Sequence, residues 1–215
     1  MRVAVVSSVF GRYDEPVFVE QTVDCDYVLV TDGDGLVPAG WDVQVANPGK
    51  LASRLAAKFA KCAPWRFVDA DVWVWMDGSI LPEAHCVEEF LDCLVDQDVA
   101  FYRHPVRVSL TSEAQKSWEM HKYVDAPVRE QVQSYLDGGH PDEWGLWAAG
   151  IFVFRNTLTV RQMGEFWLRE ICRWTVQDQL SLPLALRTHG LMPAPLPGSL
   201  LSNGLFKIRP HADRS

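Results

Sequence analysis

Residues 71–80 read Asp-Val-Trp-Val-Trp-Met-Asp-Gly-Ser-Ile, an apolar run that ends abruptly in an acid, a glycine and a hydroxyl residue. The stretch Val72 to Met76 is β-branched and aromatic, and too short for a helix, so it predicts a strand buried on both faces in the middle of a sheet. Asp77 then stands at the carboxyl end of that strand. In open α/β sheets ligands sit in the crevice outside those ends. Gly78 permits a tight turn and close backbone approach. A carboxylate at such a point either opens an ordinary turn or holds a divalent cation, which in turn holds a diphosphate.

The rest of the chain sets that strand in context. Strands are predicted over 3–10, 26–31, 41–45, 99–102 and 146–154, and helices over 51–63, 83–95, 160–174 and 177–187. Residues 112–136 read as largely helical with a break near Pro127, and 138–141 as a loop. Strands alternate with helices over the first half, which predicts an α/β fold with a mostly parallel central sheet flanked by helices. The longer helices and single late strand of the second half predict a mixed-sheet elaboration. From Pro193 onward the chain is rich in Pro, Gly and Ser and reads as a tail, 193–215, that covers or borders the site. No G-x-G-x-x-G or G-x-x-x-x-G-K-[ST] occurs, so neither a dinucleotide nor a P-loop phosphate cradle is indicated.

Composition narrows the partners. The net charge of −8 argues against a nucleic-acid or membrane-surface binder. The five cysteines form no C-x-x-C pair and are odd in number, the pattern of reduced thiols in a cytosolic protein. The first residues lack the build of a signal peptide, and no apolar run approaches the ~20 residues that span a bilayer. A cytoplasmic location in a bacterial or viral setting is the expectation. His104, His140, His189 and His211 are candidate ligands or bases, but the zinc spacings are absent. Ser7, Ser8 and Ser79 lack a nucleophile-elbow context.

Three groups of residues could carry chemistry. Polar residues end four strands: Ser7 to Asp14, Thr31 to Asp34, Asp77 to Ser79, and Arg103-His104. Any strand must end in a polar turn, but four such ends together suit a ligand crevice. Arg54, Lys58 and Lys61 recur at spacings of four and three, which puts them on one helix face. Such a face is either merely solvated or placed to meet the charge of a nucleoside diphosphate. Gln177-Asp178-Gln179 opens the last predicted helix. Asp178 there is either a carboxylate favoured by the helix dipole or a pocket residue, with Gln179 supplying an amide suited to sugar hydroxyls.

The order of these blocks carries a resemblance: F-G-R-Y-D after the first strand, T-D after the second, K-F-A-K-C-A-P in the basic helix, W-M-D-G-S-I, R-H, G-I-F-V-F-R-N and Q-D-Q-L-S. Over roughly residues 3 to 190 the chain resembles a glycosyltransferase family that includes plant proteins of mucilage and pectin synthesis, and more distantly glycogenin-like transferases. The resemblance implies a GT-A-like nucleotide-diphospho-sugar transferase fold over 1–192. It implies a sugar moved from a nucleoside-diphosphate sugar to a glycan, protein or small-molecule acceptor, assisted by Mn²⁺ or Mg²⁺. Phe10, Tyr13, Asp14 and Asp32 would line the nucleoside pocket, with Tyr13 stacking on the base. Arg54, Lys58 and Lys61 would face the diphosphate. Asp77 would take the D-x-D position and share the metal with His211. Gly78, Ser79, Arg103 and His104 would contact substrate, and Asp178 and Gln179 would act at the transferred sugar. Ser79 stands where a D-x-D element has its second acid, and Gln177 where the plant proteins have Arg. The alternative is a non-catalytic nucleotide- or sugar-binding module with a degenerate metal site. A sugar-1-phosphate nucleotidyltransferase should carry a glycine-rich basic signature after the first strand, which Gly11-Arg12 alone does not supply.

Overall fold

The computed structural model describes residues 1–33 and 38–209. Four strands run parallel: β1 (Val3–Val9), β2 (Asp26–Thr31), β3 (Asp42–Val45) and β4 (Val72–Met76). Between β3 and β4 lies α1 (Ser53–Cys62). After β4 come β5 (Ile80–Pro82), α2 (Cys86–Asp92), β6 (Val99–Arg103), α3 (Leu110–Trp118), α4 (Val128–Asp137) and β7 (Trp147–Arg155). The chain continues with α5 (Leu158–Arg173), α6 (Asp178–Thr188), β8 (Ala194–Pro195) and β9 (Phe206–Ile208). The main sheet has the order β3-β2-β1-β4-β7-β6-β8. β7 runs antiparallel to both of its neighbours, and β8 is parallel to β6. This is an α/β fold with a mostly parallel seven-stranded sheet flanked by helices.

Side-chain alternation along the central strands explains the layers. Ala4, Val6, Trp73 and Trp75 point to one face, where they pack with Ala56 and Ala60 of α1, Met163 and Trp167 of α5, and Leu182 and Leu186 of α6. Val3, Val5, Val72, Val74 and Met76 point to the other, against Val87 and Phe90 of α2. Every residue of β1 and β4 is buried, as a parallel strand covered on both sides requires. Gly164 lets α5 approach α1 closely, since a β-carbon there would lie 2.1 Å from the Cys62 carbonyl oxygen. A third cluster joins α3, α4 and α6 through Leu110, Val132, Tyr135 and Leu180.

The segment read as one helix broken near Pro127 is divided earlier. α3 stops at Trp118, a 3₁₀ turn covers His121–Tyr123, and α4 begins at Val128. Pro127 immediately precedes α4 rather than interrupting a helix. The tail is not devoid of regular structure: β8 adds to the sheet edge, and β9 pairs antiparallel with β5. No described helix is long and apolar enough to cross a membrane, and all five cysteines are free thiols.

Candidate active site

A cleft of about 340 Å³ opens at the carboxyl ends of β1 and β4, between α1, the 3₁₀ turn at His121–Tyr123, the start of α6 and the returning tail. β4 delivers Trp75 and Asp77 to its floor. The Asp77 backbone N–H donates to the Gly150 carbonyl of β7 at 2.9 Å, which fixes where the strand ends. Its Oδ1 accepts from Trp75 Nε1 at 2.8 Å and from Lys61 Nζ at 3.1 Å. Gly78 follows, and a β-carbon there would lie 2.8 Å from Asp14 Cβ and 3.0 Å from Val9 Cγ2. Only glycine lets the loop after β1 close against the loop after β4.

α1 supplies Lys58 and Lys61 one turn apart, and both reach the first residue of α6. Lys58 Nζ donates to Asp178 Oδ2 at 2.6 Å, and Lys61 Nζ lies 2.8 Å from the same oxygen. The side chains of Lys61 and Asp178 are only 4% and 8% exposed, so the bridge Lys58–Asp178–Lys61–Asp77 is buried at its center, while Asp77, at 39%, opens to the cleft. Burial alone would raise the Asp178 pKa, but the two ammonium groups outweigh it and hold the carboxyl well below the usual carboxylate range. Burial alone would lower that of Lys61, but Asp178 and Asp77 outweigh it and keep the amine protonated. Trp167 Nε1 donates to the Asp178 carbonyl at 3.0 Å, fixing the start of α6 from the core.

Above this bridge, Arg54 and Lys122 lie over the ring of Tyr123, at 4.9 Å and 5.1 Å from its centroid. Arg54 Nη2 donates to the Tyr123 hydroxyl at 2.9 Å, and that hydroxyl donates to Gln177 Oε1 at 3.1 Å. Gln177 Nε2 in turn donates to Glu113 Oε1 at 2.8 Å and to Ser117 Oγ at 3.0 Å. A buried polar chain thus ties the cleft wall to α3. Phe10, Tyr13 and Asp14 line the cleft from the loop after β1, and Gly78, Ser79 and Gln179 also line it. The tail closes one side. Leu200 and Ile208 line the cleft, Arg209 N donates to the Ser79 carbonyl at 2.8 Å, and Arg209 Nη2 donates to the Gly78 carbonyl at 3.1 Å.

Of the residues singled out in the sequence, the cleft brings together Phe10, Tyr13, Asp14, Arg54, Lys58, Lys61, Asp77, Gly78, Ser79, Asp178 and Gln179. Asp32 is not among its lining residues; its Oδ2 accepts from the Gly11 N–H at 2.7 Å and so shapes the loop beside the cleft. Arg103 and His104 also lie outside the lining. Arg103 stacks over Trp147, and His104 sits buried beside Arg107 and Glu113. His104 is pushed down to about 4, first by burial and then by the Arg107 charge, so it is neutral near pH 7. His211 lies outside the described residues. Lys122, Tyr123 and Gln177 line the cleft without having been singled out as contact residues. The first two follow α3 in a stretch whose sequence reads as helix.

The chemistry around Asp77 is that of a carboxylate already committed to a cation. Lys61 holds its Oδ1, and Ser79 adds only a neutral, buried hydroxyl. Among the described residues no group of three His, Cys, Asp or Glu side chains is placed to hold a metal ion. Of the two metal ligands suggested by the sequence, Asp77 accepts from Lys61 at 3.1 Å through Oδ1, and His211 lies outside the described residues.

No protein-family model and no curated protein matches the chain. Among solved structures it is similar to the bifunctional glycosyltransferase WbbM in its apo form, at 16% identity and a TM-score of 0.50, over 84% of this chain and 37% of that one. The chain thus spans little more than a third of that protein's length. At such identity the likeness concerns the fold alone. Taken with the strand order and the site at the carboxyl ends of β1 and β4, it shows that the chain has a GT-A-like, glycosyltransferase-type fold.

Proposed function

We propose that this chain transfers a sugar from a nucleoside-diphosphate sugar to a glycan, protein or small-molecule acceptor. The observation that carries the reading is the Lys58–Asp178–Lys61–Asp77 bridge, buried at its Asp178–Lys61 center, on the floor of a cleft at the carboxyl ends of the parallel strands. Breaking the bond from sugar to diphosphate leaves negative charge on the leaving group and positive charge on the sugar. Ammonium groups fixed before the reaction stabilise the first, and a carboxylate kept ionised stabilises the second, without reorganisation at the moment of transfer. Phe10 and Tyr13 offer apolar and aromatic surface for the nucleoside, and the amide of Gln179 can meet sugar hydroxyls. The proposal assigns the charge balance to the lysines and routes no step through a metal. The resemblance to the plant mucilage and pectin family supports the donor class.

A second reading, a nucleotide- or sugar-binding module without turnover, draws on one observation. Asp178 Oδ2 accepts from both lysines and is nearly enclosed, the posture of a structural ion pair. Thermal-shift titration with a panel of nucleotide sugars, each with and without Mn²⁺, tests the shared premise. A ligand that binds only the folded chain raises its melting point by mass action. The account expects at least one nucleotide sugar to do so more strongly than its free sugar. A flat response across the panel would refute both readings.

A further inference from the structure

The cations of the cleft are of two kinds. Lys58 and Lys61 are neutralised by Asp178 and Asp77 within hydrogen-bonding distance. Arg54 and Lys122 are not. Among the described residues, neither has a carboxylate within ion-pair distance: Arg54 donates to the Tyr123 hydroxyl and, at 3.4 Å, to the Lys122 carbonyl, while Lys122 contacts the Tyr123 ring. Two positive side chains lie against the ring of Tyr123, at 4.9 Å and 5.1 Å from its centroid, in a chain whose net charge is −8. The Lys122 amine is held below its usual range, first by burial and then by the Arg54 charge. α1 begins beside them at Ser53, which also lines the cleft. Its first turn carries no acidic residue and its Ala52 cap provides no side-chain hydrogen bond. The Leu55 and Ala56 N–H groups donate to the Ala52 carbonyl, both at 2.9 Å, so what this helix start offers is chiefly the positive end of its dipole.

We propose that Arg54 and Lys122, with the start of α1 behind them, form an anion subsite that takes a phosphate group. This adds, beside Lys58 and Lys61, positive charge that no carboxylate of the described residues neutralises within ion-pair distance. The subsite rests on the sugar-transfer reading only for the identity of the ligand. Its phosphate comes either from the diphosphate of the donor or from a phosphorylated acceptor.

Calorimetric titration of inorganic pyrophosphate into the whole chain tests the subsite. Wild type should bind. Arg54→Gln and Lys122→Gln should each weaken binding about tenfold, the loss expected for one charge-assisted contact. Lys116→Gln, on the exposed face of α3, should change nothing. Lys122 makes no side-chain hydrogen bond among the described residues, so its substitution leaves the fold intact, and a melting curve verifies this. Competition identifies the source. Pyrophosphate excluded by a bound nucleoside diphosphate marks a donor site, and simultaneous binding of both marks a phosphorylated acceptor. Absence of pyrophosphate binding in wild type, or wild-type affinity in both variants, would overturn the proposal. Either result with nucleotide sugars still bound would leave the sugar-transfer reading standing, whereas nucleotide sugars held at wild-type affinity by variants that have lost pyrophosphate would assign the subsite to a phosphorylated acceptor. Pyrophosphate binding that depends on both residues, with no nucleotide sugar bound, would support the subsite and overturn the reading.

Discussion

Asp178→Asn removes one charge from the center of the buried bridge and almost nothing else. The amide keeps the shape and one acceptor oxygen. Lys58 loses the carboxylate it meets at 2.6 Å, and Lys61 loses the one at 2.8 Å but keeps Asp77 at 3.1 Å. Removing one partner of a buried ion pair costs about 3–5 kcal/mol, because the other charge stays enclosed. The Lys58 side chain is 17% exposed and can turn to water, and Lys61 retains a partner, so the lower end applies, about 3 kcal/mol. For a chain of this size that is a fall in Tm of about 6–12 °C. The pH dependence gives an independent check. The pKa of Asp178 is lower in the folded chain than in the unfolded one, so its stabilisation is full above the unfolded value of about 3.9 and is lost as pH falls toward the folded one. Lys61 is raised, so its contribution is full below its ordinary value near 10.5 and is lost only above it. Wild-type stability should therefore drop on acidification below about pH 4, and the Asn variant should lack that part of the drop. Calorimetric melting of both proteins across pH 3–8 is the assay. A variant that melts within about 2 °C of wild type, with the same acid limb, would refute the reasoning.

Other outcomes follow from the same geometry. His104, held down to about 4 in the folded chain, should make stability decline as pH falls from about 6.5 toward 4, and His104→Gln should flatten that slope in melting curves. Gly164→Ala would drive a β-carbon to 2.1 Å from the Cys62 carbonyl, a backbone atom that cannot rotate away, and should cost about 3 kcal/mol or more by urea unfolding. Gly78→Ala places a β-carbon 2.8 Å from Asp14 Cβ. It should weaken binding of a nucleotide sugar at least about tenfold by calorimetry while lowering stability by no more than about 3 kcal/mol.

Much of the floor of the cleft was legible in the sequence because its signals are local. The apolar run before Asp77, the spacing of Arg54, Lys58 and Lys61, and the acid opening α6 each need only a few neighbouring residues to be read. What was not legible depends on pairing at a distance. β5 and β9 are three residues each, one carries Pro82, and they meet only because the tail returns across the whole chain. Arg103-His104 follows the strand next after β4 in the main sheet, which suggested a neighbouring strand end. In space β7 inserts between β4 and β6, and an irregularity at Phe101/Tyr102 shifts the register, so both residues fall outside the cleft. Lys122 and Tyr123 were hidden in a stretch with helical composition, where tertiary contacts with Arg54 and Gln177 override local propensity. The spacing of the lysines placed them on one face but not opposite Asp178, since no local pattern reports what an ammonium meets 120 residues away.

The central claim is that this cleft turns over a nucleotide sugar rather than only binding one. The direct measurement is release of nucleoside diphosphate from a panel of nucleotide sugars, for wild type and Asp178→Asn, at a temperature where both are folded. The account predicts release from at least one donor by the wild type, and a rate about 10²–10³ lower in the variant, the range typical of losing one preorganised electrostatic contact. Donor binding without release, or release by the variant at the wild-type rate, would contradict it.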